Sequence, residues 1–368
     1  MNAFAPLTIG IDARAAAEVP AGRGRVVREL LRALAARPED GRRYVLYARE
    51  TWAQDELDKR FRWRLIDAGD PWWHMRTAHA ANRECEVFLS SNSYLTAWFL
   101  RIPCVPIVYD LVSFEQGMRP NRRSQVIERL TLGHAVRRSA GLLAISQATA
   151  DALVRHFPAA EGRTSVAPLG VASALTEDLN PAEASTLPAP GFVLAVGTLE
   201  PRKNLPRLVA AYKVLDEELQ RRHPLVVVGA LGWEAGETLD SLRSLGDRAR
   251  MLGYVSDAAL AELYRRCAVF CYPSLGEGFG LPVLEAMAAG AVVLTSNVSS
   301  LPEVGGEAVA YADPLRVQDI AAQLQSLLGD DPRRAALAER ARARASEFSW
   351  ARFAERVLQT LNEAAGHD

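Results

Sequence analysis

Tyr272–Gly290 reads YPSLGEGFGLPVLEAMAAG. The run Val269–Tyr272 ahead of it has the length and the aromatic, β-branched character of a buried strand, and it ends at Pro273. A loop carrying Gly276, Glu277, Gly278, Phe279 and Gly280 follows, and Pro282 opens a helix, in keeping with the preference for proline in the first turn. Glycines let a backbone approach a ligand closely. The free N–H groups from Phe279 to Val283 would point at an anion, helped by the helix dipole, and a diphosphate fits there. Glu277 projects from the loop and Glu285 stands about one turn inside the helix, so the two carboxylates are placed to accept hydrogen bonds from two sets of sugar hydroxyls. Read alone, the pair is two surface acids beside a glycine turn, since such spacings arise by chance in a chain with 44 acidic residues. The complete strand, glycine loop, proline and helix is much rarer.

Outward from this stretch, short apolar runs alternate with longer helical patterns. The expected strands are Leu7–Ile11, Tyr44–Tyr47, Glu86–Leu89, Val105–Tyr109 and Leu142–Ile145, then Phe192–Val196, Leu225–Val228, Arg250–Leu252, Val269–Tyr272 and Val292–Leu294. Helical stretches include Arg25–Ala36, Ser124–Arg138, Leu205–Arg221, Ser256–Arg266 and Pro282–Ala289. Such alternation predicts α/β architecture, with parallel sheets covered by helices on both faces. The rhythm breaks over VASALTEDLNPAEASTLPAPG, Val171–Gly191, which predicts a linker between two doubly wound, Rossmann-like domains. The expected division is 1–170, a linker 171–190, a second domain 191–345, and a C-terminal helix 346–368 packing back on the first domain. Two such domains facing each other would bring the carboxyl ends of both sheets to a central cleft, where ligands bind.

Composition narrows the function. The 368 residues carry a formal charge of −1, so no global basic field points to nucleic acid. Cys85, Cys104, Cys267 and Cys271 lie in apolar settings without zinc-ligand spacing and read as buried free thiols of a reducing compartment. The N-terminus has neither a basic n-region nor a long apolar core, which argues against a signal peptide. The stretch Tyr94–Val112 is interrupted by Arg101, Pro103, Pro106 and Asp110 and is too broken to span a bilayer. A cytoplasmic location follows, with room for contact at the inner face of the membrane.

The segment around Glu277 and Glu285 resembles the E-x7-E signature of retaining glycosyltransferases of family 4, the glycosyl transferases group 1, which have the GT-B fold. That resemblance implies that Glu277 binds donor-sugar hydroxyls and Glu285 the ribose diol. It also implies that Phe279, Gly280 and Leu281 offer backbone contacts to sugar and diphosphate. Val196–Leu205, VGTLEPRKNL, is similar to the family's G-x-x-x-x-x-K-N segment and assigns Arg202 and Lys203 as the diphosphate clamp. The chemistry agrees: breaking the anomeric bond builds negative charge on a phosphate oxygen, which a guanidinium and an ammonium stabilise. The plainer alternative is a solvated charged turn with Asn204 as an N-cap. Ser296–Pro314 resembles the family's S-x-x-P-E-V-x-G segment; Ser300 with Glu303 also reads as a capping box. Gly229–Trp233 and Leu252–Ser256 resemble base-contacting loops.

In the first half, Gly22, Gly24 and Arg25 resemble the family's G-x-G-R loop, where a glycine amide faces the donor phosphate; a flexible turn with a helix-side arginine is the alternative. Ile107–Phe114 has Tyr109 where the family often has histidine, and a tyrosine donates a hydrogen bond but does not become a cation. Asp110 either orients an acceptor hydroxyl or ends a strand. Arg119–Arg138 intersperses six arginines with apolar residues, suiting either an anionic membrane surface or solvent. Trp72 and Trp73 form either a sugar-stacking platform or core.

The paired aspartates that hold a divalent ion in other glycosyltransferases are absent at any strand end, Asp330–Asp331 before Pro332 reading as a helix start, and Arg202 with Lys203 makes a metal or other cofactor unnecessary. The resemblance therefore implies a metal-independent hexosyltransferase working by front-face displacement on a nucleotide-sugar. Its acceptor is a glycan or lipid-linked acceptor of cell-surface polysaccharide biosynthesis. The overall look is that of bacterial polysaccharide mannosyltransferases, so GDP-mannose comes first as donor and a UDP-hexose second. A nucleotide-sugar epimerase or hydrolase on the same fold is an alternative, although the six histidines lie outside the matched motifs. A non-catalytic glycan-binding scaffold is another.

Overall fold

Leu225–Val228 is LVVV, and every one of the four residues is buried. A strand without a polar face needs cover on both sides, which is the situation of a strand inside a parallel sheet. Val87–Ser90, Cys104–Val108, Val269–Tyr272 and Val293–Ser296 are buried throughout in the same way. The computed structural model describes residues 7–52, 56–111, 114, 122–171, 179–232 and 235–366, with the side chains of 122–125 left out. The chain divides into two units, Met1–Gly170 with Ser349–Asp368, and Val171–Phe348.

The first unit contains β1 (Thr8–Asp12), α1 (Arg14–Glu18), α2 (Arg23–Ala35), β2 (Arg43–Ala48), β3 (Phe61–Leu65), α3 (Trp72–Glu84), β4 (Val87–Ser90), β5 (Cys104–Val108), α4 (Arg122–Arg138), β6 (Leu142–Ala144), α5 (Gln147–His156) and β7 (Thr164–Val166). Its seven strands are all parallel and lie in the order β3-β2-β1-β4-β5-β6-β7. The second unit contains α6 (Pro181–Ala184), β8 (Val193–Val196), α7 (Leu205–Val214), α8 (Glu217–Arg222), β9 (Leu225–Val228), α9 (Gly236–Arg243), β10 (Ala249–Gly253), α10 (Asp257–Arg266), β11 (Val269–Tyr272), α11 (Leu281–Ala289), β12 (Val293–Ser296), α12 (Leu301–Gly305), β13 (Ala310–Ala312), α13 (Val317–Leu328) and α14 (Asp331–Ala345). Its six parallel strands run β10-β9-β8-β11-β12-β13.

Each sheet reverses its strand order once, between β1 and β4 in the first and between β8 and β11 in the second. At such a reversal the following connections diverge to opposite faces and open a crevice at the carboxyl ends of the strands. The two Rossmann-like α/β units expected from the sequence are therefore present. The last helix, α15 (Trp350–Ala365), is amphipathic. It is capped by Ser349 Oγ, which accepts from Arg352 N at 3.3 Å. Its buried face, including Trp350, Phe353, Val357 and Leu361, packs in the first unit against α2 and β4 to β7.

Three strands escape the sequence reading. In β3, FRWRL, the arginines at 62 and 64 are exposed and mask a half-buried strand at the end of the sheet. β7 and β13 are three-residue strands at the opposite ends of their sheets. The expected helix Leu205–Arg221 is two helices, because Leu215 is extended at φ −63°, ψ 153°. The hydroxyl of Tyr212 stitches the break by reaching the carbonyls of Gln220 at 2.9 Å and His223 at 3.0 Å. Within the expected linker, residues 172–178 lie outside the described residues, and α6 is a single turn capped by Asn180.

Candidate functional site

After β8 the chain runs to a tight turn, Pro201–Lys203, closed by Asn204 at φ 58°. Asn204 is 1% exposed, and its side chain does not cap α7 as the plainer reading had it. Instead Nδ2 donates to the carbonyls of Pro273 at 2.9 Å and Pro314 at 2.7 Å, while Oδ1 accepts from Arg207 at 2.8 Å. The amide of Leu275 donates to the Arg202 carbonyl at 2.9 Å. The turn after β8 is thereby fastened to the loop after β11, across the point where the strand order reverses.

That fastening brings three sequence-assigned side chains together. Arg202 Nη1 donates to Glu277 Oε2 and, at 3.0 Å, to the Gly276 carbonyl. Its Nη2 pairs with Glu200 at 2.8 Å. Lys203 Nζ lies 2.7 Å from Glu277 Oε1 and donates to the Tyr272 hydroxyl at 2.5 Å. Tyr272 Oη and Ser274 Oγ donate to the same Oε1 at 2.8 and 2.7 Å. The three charged side chains are only 9–20% exposed. Burial alone would raise the Glu277 carboxyl, but Lys203 and Arg202 outweigh it and hold the group at about 2. Burial lowers Lys203, against the pull of Glu277, and it raises Tyr272 so that the phenol stays protonated. Burial opposes the charge of Arg202 too, yet Glu277 raises it on balance. A carboxylate so fully engaged by cations is a poor nucleophile. The same two cations form a ready receptor for a ligand with more negative charge than Glu277.

The glycine loop is held from the connection between β12 and α12. The Glu277 amide donates to Ser299 Oγ at 2.9 Å, and Ser300 Oγ lies 3.0 Å from the Glu277 carbonyl and 2.9 Å from that of Phe279. Ser300 makes no side-chain cap to α12, so the capping box read from the sequence is corrected: the hydroxyl anchors the loop instead. Gly280 sits at φ 104°, and a Cβ there would come within 2.8 Å of Leu301 Cδ2, so only glycine suits the position. Of the amides expected to face an anion, that of Val283 donates to the Gly280 carbonyl at 2.9 Å and Pro282 has none. Those of Phe279, Gly280 and Leu281 have no hydrogen-bond partner among the described residues. The Phe279 ring is core, edge-on to Phe348 at 5.9 Å, so only its backbone can serve a ligand. Glu285 lies within α11, 2% exposed, with the Tyr264 hydroxyl 3.4 Å from Oε2. Tyr272, Ser274, Ser299 and Ser300 lie within the quoted motif segments but were not assigned to the site, because a hydroxyl's distant partner is not visible in local spacing.

In the first unit, Gly22 heads α2 at φ 55°, exposed. Gly24 is needed for a different reason: a Cβ would stand 1.7 Å from the Val19 carbonyl oxygen, and its amide already donates to Ala21 at 3.2 Å. The crowding by Val19 is thus reason enough for glycine at 24. Arg25 is half-buried on α2, and its neighbour Arg23 reaches two of the other candidates. Arg23 lies 5.2 Å from the Tyr109 ring centroid and donates to the Asn92 carbonyl at 3.3 Å, with Asp110 among the charges that raise it against burial. Tyr109 is 7% exposed and donates to the Ser91 carbonyl at 2.7 Å, so its hydroxyl is engaged within the fold. Asp110 is half-buried just after β5.

Trp73 is fully buried whereas Trp72 is 62% exposed, so they are not a joint platform. On α4, Val126, Ile127 and Leu130 are exposed while Leu132 and Val136 are core. Arg119, Val112, Ser113 and Trp233 lie outside the described residues, as do the side chains of Arg122 and Arg123. The cysteines are free, three buried and Cys267 half-buried. Among the described residues no three His, Cys, Asp or Glu side chains gather as ligands for a metal ion. Among them, too, no helix is long and apolar enough to cross a membrane.

Residues 181–344, which hold the whole cluster, match the family model described as glycosyl transferases group 1. The chain is 45% identical over 175 residues to the O-antigen chain mannosyltransferase B of Escherichia coli, covering 47% of this chain and 45% of the relative. It is 35% identical over 274 residues to the serotype-specific mannosyltransferase WbdA of Escherichia coli, covering 69% of this chain and 33% of the relative. The chain thus spans less than half the length of these curated relatives. Among solved structures, Anabaena Alr3699/HepE in complex with UDP and glucose superposes with a TM-score of 0.75 at 18% identity, covering 97% of this chain and 99% of that one. The fold is that of the GT-B glycosyltransferases.

Proposed function

We propose that the protein is a retaining glycosyltransferase that moves a hexose from a nucleotide-sugar to a glycan or lipid-linked acceptor of cell-surface polysaccharide synthesis. GDP-mannose is the first donor to test and a UDP-hexose the second. The observation that carries this reading is the meeting of Arg202, Lys203 and Glu277 where β8 and β11 end. The pyrophosphate takes over the two cations and the free amides of Phe279, Gly280 and Leu281. Glu277, released from them, accepts the sugar hydroxyls, and Glu285 holds the ribose diol. Mannosyltransferase relatives support the choice of sugar.

In the transfer, the acceptor hydroxyl oxygen bonds to the anomeric carbon on the face from which the phosphate oxygen departs. The acceptor proton passes to that departing oxygen, and Arg202 and Lys203 stabilise the charge developing on the diphosphate. The two cations do the work a divalent ion would otherwise do, so turnover should survive a chelator. Contact of α4 with a membrane surface is part of the same proposal, supported by exposed Val126, Ile127 and Leu130 on an arginine-bearing helix.

The test is release of nucleoside diphosphate from GDP-mannose and UDP-hexoses, with and without a mannose-terminated acceptor. Acceptor-dependent release from the wild type, lost by at least about a hundredfold in Glu277→Gln, is expected. Release at equal rates without acceptor would favour a hydrolase, and no release from any donor would overturn the reading.

A further inference from the structure

The first unit carries a second constellation, separate from the ion cluster, at the carboxyl edge of its own sheet. The loop after β3 delivers Asp70, and α3 opens with Trp72 and Trp73. The two indoles have opposite fates. Trp73 is fully buried under the Arg14 guanidinium, 3.7 Å above its ring, while Trp72 stays 62% exposed. Beside it, Asp70 is held by one oxygen only. Oδ1 accepts from Arg49 Nη2 at 2.8 Å and Arg14 Nη1 at 3.4 Å, and His74 Nε2 stands 3.5 Å away. Oδ2 has no partner among the described residues, and the side chain is 58% exposed. Arg49 is itself immobilised by both oxygens of Glu18, at 3.2 and 3.0 Å, and by the Ala68 carbonyl at 3.1 Å. A fixed carboxylate oxygen therefore faces solvent two residues from an exposed aromatic face.

We infer that Asp70 and Trp72 form a carbohydrate subsite that takes a pyranose unit of the acceptor glycan; this rests on the glycosyltransferase reading. A pyranose presents a C–H face with partial positive charge, which suits the negative face of an indole. Its hydroxyls donate charge-assisted hydrogen bonds to a carboxylate oxygen. Because Arg49 and Arg14 already hold Asp70, little ordering is needed on binding. The same arginines leave no isolated charge to attract an ion, which favours a neutral polyol. The subsite lies on the edge where β1 and β2 also end, the side on which open α/β sheets bind ligands.

Direct titration of the full chain with a mannose oligosaccharide, by calorimetry or saturation-transfer NMR without any nucleotide, tests the subsite independently of turnover. Trp72→Ala should weaken binding about tenfold or more, Trp72→Phe should keep it within roughly threefold, and Asp70→Asn should weaken it several-fold. Circular dichroism reports whether each variant is folded. Equal binding by wild type and Trp72→Ala, or no binding by wild type at millimolar sugar, would overturn the subsite. If donor turnover fails while Trp72→Ala still abolishes sugar binding, the subsite stands and the transferase reading falls.

Discussion

Removing the Glu277 carboxylate should tighten the binding of a nucleoside diphosphate even as it abolishes sugar transfer. In the free protein Glu277 is the counter-ion of Arg202 and Lys203, so a diphosphate must displace it before using them. The carboxyl stands at about 2 against an ordinary 4.5, and at about 1.4 kcal/mol per unit this favours its ionised form by roughly 3–4 kcal/mol. Side chains only 9–20% exposed leave little solvent to screen the pairing. A diphosphate that takes over about half of the interaction would gain on the order of 2 kcal/mol in Glu277→Gln, or roughly thirtyfold in affinity. The gain should appear with GDP or UDP and shrink with the corresponding nucleotide-sugar, whose hexose loses its carboxylate acceptor. The free variant should melt earlier than wild type, because Lys203 loses its carboxylate and Arg202 keeps only Glu200, and the diphosphate should recover more of the melting point than it does in wild type. Calorimetric titration at low temperature, with circular dichroism to confirm folding, decides the matter. A folded Glu277→Gln that binds diphosphate no better than wild type would refute the displacement reasoning.

Other expectations follow from the same geometry. The Glu277 carboxyl is lower folded than unfolded, so its contribution to stability is complete above the unfolded value near 4.5 and is lost as pH falls through about 2. Urea melts across that window should be less pH-dependent in Glu277→Gln than in wild type, and identical slopes would count against the pairing. Asn204→Ala leaves the Pro273 and Pro314 carbonyls without their donor at a positive-φ position. It should cost about 2–4 kcal/mol in urea unfolding and lower kcat more than diphosphate affinity; a change in KM alone would mean that Asn204 does not position the cations. Gly24→Ala drives a methyl into the Val19 carbonyl and should destabilise the fold by about 2 kcal/mol or more, seen as a lower melting temperature. An unchanged melt would mean that the Val19 carbonyl does not demand glycine there.

Much of the fold was legible because parallel strands buried on both faces are continuous apolar runs, as LVVV at 225–228 is. Strands at sheet ends were not, because FRWRL at 61–65 alternates arginine with aromatic residues and shows no apolar run. The site was legible where side chains carry charge: Arg202, Lys203 and Glu277 stood out in sequence, and the structure joins them. What the sequence hid is what holds them. Asn204 reads as a helix cap and is a clasp between two loops. Ser300 reads as half of a capping box and anchors the glycine loop. Both are small polar residues whose partners lie far along the chain, and local spacing cannot reveal such contacts. Gly24 shows the reverse, since a motif glycine that suggests a ligand is already required by the crowding of Val19.

The most direct test of the central claim is a crystal structure of the protein soaked or grown with GDP. The account predicts the pyrophosphate within hydrogen-bond reach of Arg202, Lys203 and the amides of residues 279–281, with Glu277 parted from Lys203. Nucleotide bound elsewhere, or bound while the Lys203–Glu277 pair stays closed, would contradict it.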